Sequence, residues 1–131
     1  MIFRPRGISP LNLNLRIEDK ELIQVSNFKF LGLILNENLT WEAHTKSISH
    51  KISQGIGILT RLKQFLPDET LLTLYHSLIS CHLNNHLLVW GQQSDRIYKL
   101  QKKAIRIISK EHYRAHTAPL FKKHGILTYI T

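Results

Sequence analysis

The chain has 131 residues, 43% of them hydrophobic, and a formal net charge of +9. That length suits one domain, or the end of a larger one, with a single modest core, and the hydrophobic content excludes a disordered tail. One cysteine, Cys81, excludes a disulfide framework and any multi-cysteine zinc module and fits a reducing compartment.

The opening "MIFRPRGISP" has no apolar stretch suited to a signal peptide, and no apolar run is long enough for a membrane span, so no membrane partner is expected. The N-terminal third then reads as strands. "LNLNLRI" alternates with period two and places Leu11, Leu13, Leu15 and Ile17 on one face. "EDKE" is a turn cluster, and "LIQV" resumes in extended form. Phe28 to Leu35 reads as a third strand, apolar nearly throughout and therefore expected to be covered on both faces. Together these predict a small antiparallel meander over residues 1–39.

From Thr40 the period changes. Trp41, Ile48, Ile52, Ile56, Leu59 and Leu62 recur at steps of three and four, predicting a long amphipathic helix to about Phe65 with Thr40 as N-cap. Gly55 and Gly57 weaken its interior by about 1 kcal/mol each relative to Ala, which suggests a close approach to the backbone or a bend. Pro67 breaks the pattern. Asp68 is placed to cap a second helix whose apolar face is Leu71, Leu74, Tyr75, Leu78 and Ile79. "HLNNHLLVWG" leaves two alternatives, a turn at Asn84-Asn85 or a helix running on to Trp90, with Gly91 as the end of either.

A third helix begins near Ser94, its N-cap. Ile97, Leu100, Gln101, Ala104 and Ile108 cluster on one side, and Arg96, Lys99, Lys102, Lys103, Arg106 and Lys110 fill the opposite arc. "HTAPLFKKHG" predicts a short last helix with Thr117 as N-cap, Pro119 in its first turn and Gly125 past its end. The fold class is thus α+β: a small sheet, then three or four helices over residues 40–131.

Charge is concentrated late in the chain. Residues 95–131 hold half of the Lys and Arg but only Asp95 and Glu111 as acids, so a polyanion partner is expected there. The six-cation arc of the third helix is the strongest candidate site. Its apolar side can dock on the core while the cations follow a phosphate backbone, with salt-dependent affinity and no base-specific contacts. An ordinary solvated face would usually mix in acids; here only Asp95 and Glu111 occur, one at each end.

Catalysis within this chain is not expected. Asp19, Asp68 and Asp95 are far apart, so no adjacent carboxylate pair exists for two-metal phosphoryl transfer, and no nucleophile elbow appears. Cys81, on a helix face amid Leu residues, reads as a buried core thiol. His82 and His86, and His112 and His116, have a spacing that can place two imidazoles on one helical face. Neither pair carries the Glu of an H-E-x-x-H site, so no metal is expected, and capping, ring packing and phosphate contact are the alternative roles.

Five segments, "FKFLGLILNENLTWEAH", "FLPDETLLTLYHSLI", "VWG", "LQKKAIRII" and "HYRAHTAPLFKKHGIL", stand in this order in one family. The chain resembles, from about Phe3 onward, the C-terminal part of reverse transcriptases from non-LTR (LINE-type) retrotransposons of the jockey and chicken-repeat group. The resemblance implies that Phe30, Leu31 and Gly32 form a primer grip, the hairpin that holds a primer 3′ end. It implies that the helices from Trp41 onward form a thumb closing over an RNA–DNA or DNA primer–template duplex. The family's Tyr-x-Asp-Asp lies upstream of these segments, and Tyr75, Tyr98, Tyr113 and Tyr129 are each followed by something else. The fingers, most of the palm and the metal-binding carboxylates are therefore expected to be missing partners, and relatives carry Tyr-Gly where this chain has Asn85-His86.

The family also continues past "HYRAHTAPLF", so the expectation is a fragmentary element copy, inert alone. It would have no cofactor of its own, although the full polymerase would use Mg. An intracellular address follows, either cytoplasm or nucleus. The alternative is a decayed or co-opted remnant, a structural or protein-interaction module that self-associates through apolar surface left uncovered by the palm.

Overall fold

Leu31 and Gly32 both take left-handed backbone, φ 48° and 84°, and the run expected to be one strand folds back on itself there. A computed structural model of the chain describes residues 1–85 and 95–128. The chain divides into two units, Met1–His44 and Thr45–Thr131. The class is α+β, two antiparallel hairpins followed by helices.

In the first unit, β1 (Arg16–Ile17) pairs with β2 (Lys20–Glu21) across a turn in which Glu18 has φ 54°, and Leu22 N–H donates to the Leu15 carbonyl at 2.9 Å. The expected strands over Leu11–Ile17 and "LIQV" thus contract to two residues each, and "EDKE" supplies strand as well as turn. The second hairpin pairs β3 (Asn27–Phe30) with β4 (Leu33–Asn36) in the register Asn27↔Asn36 to Phe30↔Leu33. Positive φ at both central residues is the type I′ geometry whose twist matches that of the flanking strands. The expected three-stranded meander is therefore two separate hairpins.

The expectation that Phe28–Leu35 is covered on both faces is also corrected: β3 is exposed throughout and β4 half-buried. Arg4 and Glu37 tie the N-terminal segment to the residue after β4, by a 2.6 Å ion pair and a 2.7 Å backbone hydrogen bond. The side chains of Asn36 and Thr40 are hydrogen-bonded, and Thr40 N–H donates to Asn36 Oδ1 at 2.6 Å. Thr40 thus braces the end of the hairpin rather than standing at the helix N-cap, two residues before the helix begins. His44 Nδ1 accepts from Ile34 N–H at 3.3 Å.

The helices follow the predicted period closely. Along α1 (Glu42–Leu62), Ile48, Ile52, Ile56 and Leu59 are buried. Of its two glycines, only Gly55 meets a neighbour. Next comes α2 (Asp68–Tyr75), where Pro67 occupies the N-cap and Asp68 lies in the first turn, one residue later than expected. It continues through a π-helical turn, His76–Ser80, into α3 (Cys81–Asn84). Leu71, Tyr75, Ile79 and Leu83, spaced by four, are all fully buried. Steps of four overshoot an α-helical turn of 3.6 residues, and the wider π turn takes up that overshoot, keeping the row on one side.

Asn85 is extended, which settles the Asn84-Asn85 ambiguity as a turn. Expectations at His86, Trp90, Gly91 and Ser94, and at Tyr129, lie outside the described residues. Cys81 is exposed, not buried: it sits off that row and its thiol donates to the Ser77 carbonyl at 2.8 Å.

Helix α4 (Asp95–Ile108) buries Ile97, Gln101, Ala104, Ile105 and Ile108. Four of these five are the expected ones; Leu100 is half-buried and Ile105 replaces it. Gln101 donates from Nε2 to Tyr75 Oη at 3.2 Å and to the Leu127 carbonyl at 3.0 Å, joining three segments through one buried amide. Helix α5 (Ala118–Lys123) has Thr117 at its N-cap and Pro119 in its first turn. It closes with Gly125 at φ 63°, where Ile126 N–H reaches the Phe121 carbonyl and Gly125 N–H the Lys122 carbonyl, a Schellman cap.

Candidate nucleic-acid interface

The amphipathic pattern of α4 decides where its cations go. Because Ile97, Gln101, Ala104, Ile105 and Ile108 are buried, residues on the opposite arc must face outward. Arg96, Lys99 and Lys103 are exposed there, and Lys102 and Arg106 are half-buried at its margins. A 14-residue helix spans about 21 Å, or about six base steps of a duplex. Asp95 is the only acid in α4. Met1–His44 carries as many acidic as basic side chains, so the net charge of +9 resides on Thr45–Thr131.

The six cations are not equivalent. The Lys102 ammonium lies 4.1 Å from the centroid of the Tyr98 ring, a cation–π pair one helical turn apart. Arg106 Nε donates to the Ala115 carbonyl at 2.9 Å, tying the helix to the segment that follows it. Lys110 lies beyond the helix, at φ 56° in the left-handed position of a second Schellman cap, with Glu111 N–H on the Arg106 carbonyl. Its ammonium pairs with Asp68 at 3.2 Å and donates to the Leu66 carbonyl at 3.3 Å. Arg96, Lys99 and Lys103 therefore remain as the group most open to a phosphate. Sequence periodicity could not separate them from Arg106 and Lys110, whose partners lie outside the helix.

Phe30, Leu31 and Gly32 stand together at the tip of the β3–β4 hairpin. Phe30 is 54% and Leu31 72% exposed, and Phe28 on the same strand is exposed as well. Gly32 is required by the turn itself, since its φ is positive. The tip belongs to the first unit and the cation arc to the second.

The histidine pairs take different settings. His112 and His116 flank a turn between α4 and α5 and share no helical face. His82 lies on α3, and His86 is outside the described residues. Burial, and secondly Lys51, hold the His82 imidazole below its usual pKa. His124 is lowered by burial and then by Lys123, partly opposed by Asp68, and its Nε2 lies 2.9 Å from Ser109 Oγ. Among the described residues no three His, Cys, Asp or Glu side chains are gathered to hold a metal ion.

Compared with family models, with curated proteins and with solved structures, the chain has no match.

Proposed function

We propose that this chain is the primer-grip and thumb portion of a non-LTR retrotransposon reverse transcriptase, and that it holds the backbone of a primer–template duplex without reading its sequence. The reading is supported above all by α4, whose outward arc carries Arg96, Lys99 and Lys103 against a single acid, Asp95 in the first turn, while the opposite face is committed to the core. Such an arc neutralises phosphates and releases counterions, so affinity falls steeply with salt. The order of sequence segments that the chain shares with those polymerases adds to the reading. In this role the chain contributes positioning, and the chemistry belongs to a palm.

The test is binding of the full chain to a mixed-sequence RNA–DNA duplex across a salt series. Replacing Arg96, Lys99 and Lys103 together by Glu should abolish binding, while single neutralisations should lower the salt slope by about 0.9 for each phosphate no longer neutralised. Unchanged affinity in the triple variant overturns the proposal. Arg106 and Lys110 are unsuitable for that test, because their side chains already have partners within the protein.

A second reading rests on a different observation. Phe28, Phe30 and Leu31 are exposed on a two-stranded hairpin, and isolated two-stranded hairpins are marginal in water. A co-opted protein-interaction or structural module would use this surface. It requires concentration-dependent self-association or a protein partner, and a clean monomer with full duplex affinity decides against it.

A further inference from the structure

A pocket of about 650 Å³ opens beside α4 and α5 in the second unit, within the size range of small-molecule sites. Tyr98 and Phe121 are its aromatic lining residues, Lys102 and Lys122 its cationic ones, and His116, Thr117 and Thr128 add to the polar lining. Among the described residues no carboxylate lines it. Tyr98 is half-buried and Lys102 lies 4.1 Å from its ring centroid, so an anion partner is one contact away from a stacking surface. Phe121 is 4% exposed and backs the pocket, so the stacking surface falls to half-buried Tyr98. An aromatic side chain beside two cations matches a planar ring that carries a phosphate.

We infer that this pocket, formed by Tyr98, Lys102, His116, Phe121 and Lys122, takes an unpaired nucleotide: a base stacked against the aromatic wall with its phosphate on the lysines. The inference rests on the proposed duplex reading in one respect. Lys102 belongs both to the cation arc and to the pocket, so a strand tracked by α4 can turn its single-stranded end inward at that residue. The pocket then distinguishes a duplex with an overhang from a blunt one without reading base edges.

The experiment compares binding of the full chain to a blunt RNA–DNA duplex and to the same duplex with a short single-stranded overhang carrying 2-aminopurine. AMP alone is titrated in parallel and followed by backbone NMR shifts. The overhang should bind about tenfold tighter than the blunt end, as one stacked base allows, with altered 2-aminopurine fluorescence. Tyr98→Ala should erase the preference and leave blunt-duplex affinity within about twofold, the error expected of an uninvolved site. Tyr98→Phe should keep it. Ala118→Trp, a substitution at an exposed position on the pocket rim, should erase it by filling the space, which guards against a Tyr98→Ala variant that merely misfolds.

Equal affinity for blunt and overhanging duplexes, with no AMP-induced shifts at pocket residues, overturns the inference and leaves the duplex reading standing. Shifts at Tyr98 and Phe121 with AMP, in a chain that binds neither duplex, would support the pocket while overturning the duplex reading.

Discussion

At Gly55 a Cβ would lie 3.0 Å from Cγ1 of Ile79, and 3.3 Å from both Cβ and the carbonyl oxygen of Leu78. The backbone of α1 thus meets the π-helical turn His76–Ser80 with no room for a side chain, and Ile79, which fills the gap, is fully buried. Gly57, two residues on, has nothing within 4 Å of the same position. Two glycines with the same sequence signature therefore have different causes. Only the first is a close approach.

That contrast makes a stability prediction. Gly57→Ala should stabilise the protein by up to about 1 kcal/mol, the difference in helix propensity. Gly55→Ala should fall at least about 1 kcal/mol short of it, and Gly55→Val should destabilise by about 1–3 kcal/mol through overpacking. Urea unfolding of the three variants is the measurement, and equal effects of the two Ala substitutions would contradict the close approach at Ile79.

The tip of the second hairpin predicts a gain. Leu31 holds φ 48°, which costs a branched L-residue about 1–2 kcal/mol in local strain. Leu31→Asn converts the turn to the Asn-Gly sequence favoured for type I′ hairpins. Amide exchange at Phe28 and Leu35, paired across the hairpin, should slow by several-fold. Faster exchange would mean that Leu31 is held there by packing and not by the turn.

Among the cations, stability and binding should separate. Arg106→Gln removes the hydrogen bond to Ala115 and should cost about 1 kcal/mol. Arg96→Gln and Lys103→Gln change exposed side chains of the outward arc and should stay within about 0.5 kcal/mol of the parent. Lys110→Gly trades a surface ion pair worth under about 1 kcal/mol for relief of a left-handed backbone. It should therefore leave stability nearly unchanged and affect duplex affinity less than Lys103→Gln does. Thermal melts and binding titrations on the same set of variants check both halves.

Stability should fall below pH 6.5 in part because of two histidines. Burial lowers the pKa of both His82 and His124 from 6.5 in the fold. Between that value and the lower folded-state pKa the unfolded chain binds more protons, so stability is fully present above pH 6.5 and declines as pH drops through the window. Replacing both by Gln should flatten the denaturant midpoint in the range just below pH 6.5. A midpoint that falls just as steeply in the double variant would assign the effect to other groups.

The helical half of the protein is legible in the residues because helical packing has a local signature. Ile48, Ile52, Ile56 and Leu59 announce the buried side of α1 by spacing alone, and Thr117, Pro119 and Gly125 mark the ends of α5 through backbone preferences. The hairpins are harder to read. Leu31-Gly32 lacks the Asn or Asp that usually signals a tight turn, so an apolar run of eight residues reads as one strand. Period two also fits an extended segment without a partner, and Leu11, Leu13 and Leu15 belong to no strand.

Local pattern is enough, then, for the α+β order of elements, the buried row of each long helix and the cation-rich arc on α4. These follow from periodicity and intrinsic backbone preference, which act over a few residues. Packing between distant segments settles that Cys81 lies exposed, that the row Leu71–Leu83 passes through a π turn, and that Gly55 meets Ile79. It also settles that Arg106 and Lys110 are held by Ala115, Asp68 and Leu66, leaving Arg96, Lys99 and Lys103 open. Each of these depends on which remote segment arrives beside a residue, and no local pattern carries that information.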